Sequence, residues 1–127
     1  MLENGSLIAF LATTRPAECR SFFEEKLGLI YQGETPHSLI FDANGTMLRI
    51  DKVERHVPAS NPAVGWEVSN IVNTARGLTE KGVPMLTVPG RTQDSDGIWA
   101  RPDGTLMAWF KDPDGNILSL SEHAERA

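Results

Sequence analysis

The chain has 127 residues, 40% hydrophobic and 7% aromatic, which is enough for one domain with a packed core. A formal net charge of -5 lacks the surplus of Lys and Arg that binding nucleic-acid phosphates requires, and no apolar run reaches the length of a membrane span. One cysteine, Cys19, permits no internal disulfide, and the start Met-Leu-Glu-Asn-Gly has no basic region ahead of an apolar segment, so a cytoplasmic protein with neither nucleic acid nor membrane as partner is expected.

Leu7 to Ala12 is a short apolar run and reads as the first strand. Thr13 or Thr14 can cap the helix that follows, Pro16 suits its first turn, and Glu18 places a favourable negative charge there. The helix is expected to run to about Lys26, with Cys19, Phe22, Phe23 and Leu27 as its buried stripe and Gly28 as its stop. Cys19 is therefore a packing residue rather than a nucleophile. Leu29 to Gly33, Ser38 to Asp42 and Thr46 to Lys52 read as strands, the last two joined by the tight-hairpin dipeptide Asn44-Gly45. The polar stretch around residues 54–62 carries Pro58 and Pro62 and reads as a linker.

The order then starts again. Val64 to Val68 is a strand, and Asn70 or Ser69 caps a helix through Lys81 with Val72, Ala75, Leu78 and Thr79 along one side and Gly82 as its stop. Met85 to Val88, Ile98 to Arg101, Thr105 to Lys111 and Ile117 to Ser121 are expected to be strands, with Pro102-Asp103-Gly104 and Asp112-Pro113-Asp114-Gly115 as turns. Pro89 to Gly97 reads as a flexible loop, and the tail after Glu122 is expected to fray. The sequence does not place Trp99. Both halves thus read as βαβββ, spanning about 5–53 and 63–123, at a period of roughly 57 residues.

Two motifs add to the repeat. Phe110-Lys111-Asp112-Pro113-Asp114-Gly115-Asn116-Ile117-Leu118-Ser119-Leu120 resembles the closing hairpin of the vicinal oxygen chelate superfamily, which includes glyoxalase I, extradiol dioxygenases and bleomycin resistance proteins. Phe22-Phe23-Glu24-Glu25-Lys26-Leu27-Gly28-Leu29 is similar to that family's first helix end. The resemblance implies one α+β domain over residues 1–127. Its two tandem βαβββ units would form a cup-shaped half-barrel of mixed sheets with the helices outside, and the chain would be a homodimer.

Strand alternation sorts residues between helix side and cup side. Val64, Trp66, Val68, Phe110, Leu118, Leu120, Leu48 and Ile50 are assigned to the helices. Phe10, Arg49, Asp51, Glu67, Met107, Trp109 and Ser119 are assigned to the cup as ligand-binding residues, along with Ile8 and Gly65. Enzymes of the family hold a divalent metal with His, Gln or Glu from the first and last strands of each unit. Carried over residue by residue, those positions are Ile8 (or Ala9), Arg49, Ala63 and Ser119, none of them a plausible ligand. His37, His56 and His123 lie outside the strands and do not replace them. The expectation is a small-molecule binder without metal or other cofactor, similar in logic to bleomycin resistance proteins, which sequester a drug. Two alternatives stay open: a metal-dependent glyoxalase-like lyase or extradiol-type dioxygenase, and a metal-independent enzyme with Glu67 as base beside Arg49.

Overall fold

Asn44 and Gly45 both have positive φ (53° and 93°), the backbone that a two-residue hairpin needs to match strand twist. They join two strands of the first of the two units, Met1–Pro58 and Ala59–Ala127, into which the chain divides. The structure is a computed structural model and describes residues 1–124.

In the first unit, β1 (Ile8–Thr13) leads to helix α1 (Pro16–Ser21), which continues as a π-helical turn over Phe22–Lys26. Then come β2 (Ile30–Glu34), β3 (Ser38–Ala43) and β4 (Thr46–Lys52). The sheet order is β1-β4-β3-β2, with β1 parallel to β4 and the other pairs antiparallel. The expected threonine cap does not form: Arg15 is the N-cap residue, with no side-chain cap bond, and Thr13 Oγ1 accepts instead from the Arg15 amide at 3.0 Å, ahead of the helix. The π turn has a packing reason. Its wider turn, closed by the Leu27 amide donating to the Phe22 carbonyl at 3.0 Å, lets two consecutive phenylalanines face inward. Phe22 and Phe23 meet edge-to-face at 5.1 Å, and Phe23 reaches Phe41 of β3 at 5.7 Å. Around them Leu11, Leu39, Leu48 and Ile50 are buried. Each such side chain contributes roughly 1.5–3 kcal/mol by leaving water.

The second unit repeats the order with β5 (Val64–Glu67), α2 (Ile71–Glu80), β6 (Trp99–Ala100), β7 (Leu106–Lys111) and β8 (Ile117–Glu122). The sheet order is β5-β8-β7-β6, again with the first strand parallel to the last. Asn70 caps α2, its side chain accepting from the Asn73 amide at 3.1 Å. The buried stripe of α2 is Ile71, Ala75 and Leu78; Thr79 is exposed. Trp66 stacks on Phe110 at 6.5 Å on the helix side of the sheet. Both units are α+β, each an open four-stranded mixed sheet, as expected from the repeat.

Two local expectations are corrected. Met85 to Val88 is not a strand. It makes one sheet-like bond, the Leu86 amide to the Trp109 carbonyl at 2.7 Å, and a side chain supplies the rest. Gln93 Oε1 accepts from the Val88 amide at 2.7 Å, while its Nε2 donates to the carbonyls of Leu86 and Gly97, each at 2.8 Å. For the same reason Pro89 to Gly97 is tied down rather than loose. Asp94 Oδ1 accepts from the amides of Asp96 and Ile98 at 2.9 Å, and Arg76 on α2 grips Asp96 with two bonds, 3.0 and 3.1 Å. The expected fraying after Glu122 falls partly on residues 125–127, outside the described residues. Among the described residues no helix is long and apolar enough to cross a membrane.

Candidate functional site

Cross-strand partners share a face, so the registers define the side of each sheet turned away from its helix. In the first unit that face carries three rows: Ile8, Met47, Asp42 and Ile30; Phe10, Arg49 and Ile40; Ala12, Asp51 and Ser38. The predicted residues Phe10, Arg49 and Asp51 therefore lie together. Phe10 is 58% exposed. Arg49 is committed within its own sheet: its Nε donates to Ser38 Oγ at 3.2 Å and lies 3.9 Å from Asp51 Oδ1. The Ser38 hydroxyl donates to Asp51 at 2.8 Å. This triad pairs a guanidinium with a carboxylate through one hydroxyl on a half-exposed surface, where such pairs contribute little to stability.

In the second unit the open face carries Gly65, Ser119 and Trp109 in one row. Glu67, Ser121, Met107 and Trp99 form the next, and Ile117 and Lys111 the one beyond. The predicted residues Glu67, Met107, Trp109 and Ser119 therefore share this face. Glu67 is exposed and lacks the dry surroundings that a buried base would use. Gly65 leaves room for Ser119: a Cβ there would sit 2.3 Å from Ser119 Oγ, which would have to move. Trp99, which sequence reasoning could not place, stacks on Trp109 at 6.1 Å and 29°, and the guanidinium of Arg91 lies 4.1 Å over the Trp99 ring.

Beside Trp109 the sheet face opens into a cleft of about 430 Å³. Trp109, Lys111 and Ile117 line it from the sheet, Ser60, Asn61 and Pro62 from the segment before β5, and Leu86 to Pro89 and Arg91 from the tied loop. Of the residues predicted from sequence only Trp109 lines it. Arg91, Lys111 and Asn61 were missed. The alternation that places Trp109 on the open face also places Lys111 there, two residues on; Arg91 could not be located without the Gln93 anchors.

The turn between β7 and β8 explains why Asp-Pro-Asp-Gly-Asn is one motif. Asp112, 6% exposed, accepts from the amides of Asn116 (2.8 Å) and Asp114 (3.0 Å) through Oδ1 and from Asn116 Nδ2 (2.8 Å) through Oδ2. Gly115 takes φ 88°, and its amide closes the turn on the Asp112 carbonyl at 3.0 Å. Burial pushes the Asp112 carboxyl above its usual range, against the opposing pull of its bonds to Asn116.

With this geometry in hand, a family model named Glyoxalase/Bleomycin resistance protein/Dioxygenase superfamily matches residues 7–120. The chain belongs to that superfamily. Among solved structures it is similar to a glyoxalase family protein from Bacillus anthracis, with 18% identity, 94% of this chain and 95% of that chain covered, and a TM-score of 0.75. It is similar to a bleomycin resistance determinant encoded on the transposon Tn5, with 16% identity, 94% and 98% covered, and a TM-score of 0.74. A lactoylglutathione lyase from Agrobacterium tumefaciens aligns at 14% identity, 91% of each chain and a TM-score of 0.71. At these identities the likeness is one of fold. No curated protein matches the sequence significantly.

The residues that the family resemblance places at its metal positions do not have the chemistry to hold a divalent cation. Ile8 and Ala63 offer no side-chain donor, Arg49 carries a positive charge already bonded to Ser38, and Ser119 offers one hydroxyl beside Gly65. Among the described residues no three of His, Cys, Asp and Glu gather where they could hold an ion.

Proposed function

We propose that this protein binds a small organic ligand and holds it without transforming it through a bound metal. The observation that carries this reading is the chemistry at the family's metal-bearing positions: Ile8, Arg49, Ala63 and Ser119. A guanidinium at one of these positions opposes a divalent ion electrostatically, and two of the others have nothing to donate. The cleft beside Trp109, at about 430 Å³, is of the size that encloses small ligands and has an aromatic wall with a few polar groups. In the second unit the ligand is proposed to lie against Trp109, with Ser119, Met107 and Glu67 on the same sheet face; in the first unit Phe10, Arg49 and Asp51 are proposed as a separate set of ligand contacts on its own open face.

We further propose a homodimer, supported by exposed apolar side chains on the open face of the first sheet: Ile8 and Phe10 are 39 and 58% exposed on β1, and Ile30 on the opposite edge strand is 63% exposed. The binding reading is tested by a thermal-shift screen of small molecules on untreated and chelator-treated protein, since a ligand that binds only the native state raises its apparent stability. Stabilisation that survives chelation is expected. Hits that lose their effect on chelation, together with chelator-sensitive lyase or dioxygenase turnover, would replace the proposal with the metal-dependent reading.

A further inference from the structure

The charges around the Trp109 cleft run against the charge of the whole chain. The protein carries a formal net charge of -5, yet the cleft is lined by two cations, Arg91 and Lys111, and by no carboxylate. Both cations are exposed, and neither forms an ion pair with an acid among the described residues. By contrast, Arg20, Arg49, Lys52, Arg76 and Arg101 each have an acidic partner within 4 Å. Asp112 is adjacent to Lys111 in sequence, but its oxygens are occupied by the amides and side chain of the β7–β8 turn.

Arg91 is also held in place. Its guanidinium carbon lies over the Trp99 ring, 4.1 Å from the ring centroid, and Trp99 in turn stacks on Trp109. The segment that carries it is fixed just before, at Val88, and just after, through the side chains of Gln93 and Asp94. A guanidinium held over an aromatic ring still has N–H donors for a planar acid, which it can bind with two parallel bonds. Lys111 adds a second cation on the sheet side, Trp109 a flat apolar surface, and Asn61 and Thr87 neutral polar groups.

From this we infer that the cleft takes an anionic ligand with a flat ring. The ring lies against Trp109, and the carboxylate or phosphate sits between Arg91 and Lys111. The inference rests on the proposal that the protein binds a small molecule and names the ligand's chemical class.

Calorimetric titration of the full-length protein with three probes sharing one ring tests it: naphthoate, naphthyl phosphate and naphthylmethylamine. Binding of one or both anions is expected, with the amine at least about tenfold weaker and the affinity falling as salt is raised. The tighter anion identifies carboxylate or phosphate as the preferred group. Arg91→Gln and Lys111→Gln are each expected to weaken the anion about tenfold, one charge-assisted hydrogen bond apiece. Both side chains are exposed, so folding should survive, and circular dichroism checks it. The inference is overturned if the amine binds as tightly as the anions, if neither anion binds at millimolar concentration, or if anion binding is unchanged in the doubly substituted protein. Binding of the amine that is lost in Trp109→Ala would overturn the anion assignment while leaving the small-molecule reading intact.

Discussion

Replacing Asp112 by Ala is expected to destabilise the protein by about 2–3 kcal/mol. The substitution removes the carboxylate that accepts from the Asn116 amide and from its side-chain Nδ2, both on a buried residue; losing an acceptor for a buried donor costs about 1–3 kcal/mol. Relief of a carboxylate that burial disfavours offsets part of that loss. For a chain of this length the change corresponds to roughly 10 °C in Tm. Urea unfolding at several pH values is the assay, read as a lower midpoint at unchanged slope. The pH dependence carries the sharper test. Because the folded carboxyl is raised above its unfolded value, the native state binds the proton more readily, so the stability Asp112 supplies is fully present below the unfolded carboxylate range and declines as pH rises through the folded value. The gap between wild type and Asp112→Asn should therefore narrow from acid towards neutral pH. A gap that widens over that interval would mean that the hydrogen bonds, not burial, set the state of this carboxyl, and the reasoning would be wrong.

Other positions give independent checks. Gly65→Ala should lower stability by about 1 kcal/mol as Ser119 Oγ is forced to move, and adding Ser119→Ala should remove most of that loss; additive effects in the double-mutant cycle would contradict the contact. Gln93→Ala should speed hydrogen exchange at the Val88 amide and cost about 1–2 kcal/mol, since one side chain there replaces a strand's bonds; unchanged exchange would show that the loop is held otherwise. Phe41→Ala, at a fully buried position against Phe23, should cost about 3–5 kcal/mol by urea titration, and a cost below about 1 kcal/mol would misplace the first unit's core. Sedimentation should give a dimer, and Phe10→Asp should shift it towards monomer, because the substitution puts a charge among the exposed apolar side chains of that face.

Much of the scaffold could be read from the residues, because the signals were local. Asn44-Gly45 specified its hairpin, Asn70 its cap, and the alternation through Ile117 to Ser121 put Leu118 and Leu120 on the helix side and Ser119 opposite. The same alternation placed Arg49 and Asp51 on the open face. What was not legible depended on contacts distant in sequence. Met85 to Val88 has a strand's composition, but Gln93 and the Trp109 carbonyl decide its bonding, and no period in the sequence reports a side chain standing in for a backbone. Trp99 and Arg91 fall in a stretch without periodicity, so their stack with Trp109 had no sequence signature. The motif residues Asp112 and Asn116 could be assigned to a turn, whereas their mutual burial needed coordinates.

A fold shared with a glyoxalase family protein, a bleomycin resistance determinant and a lactoylglutathione lyase does not choose among activities; the site residues do. The proposal that no ion is chelated here is tested most directly by the metal content of protein purified without chelator, measured by inductively coupled plasma mass spectrometry. The account predicts far less than one divalent ion per chain, with no gain in Tm on adding zinc, nickel, manganese or iron. One tightly held ion per chain, retained through dialysis and lost together with thermal stability on chelation, would contradict it.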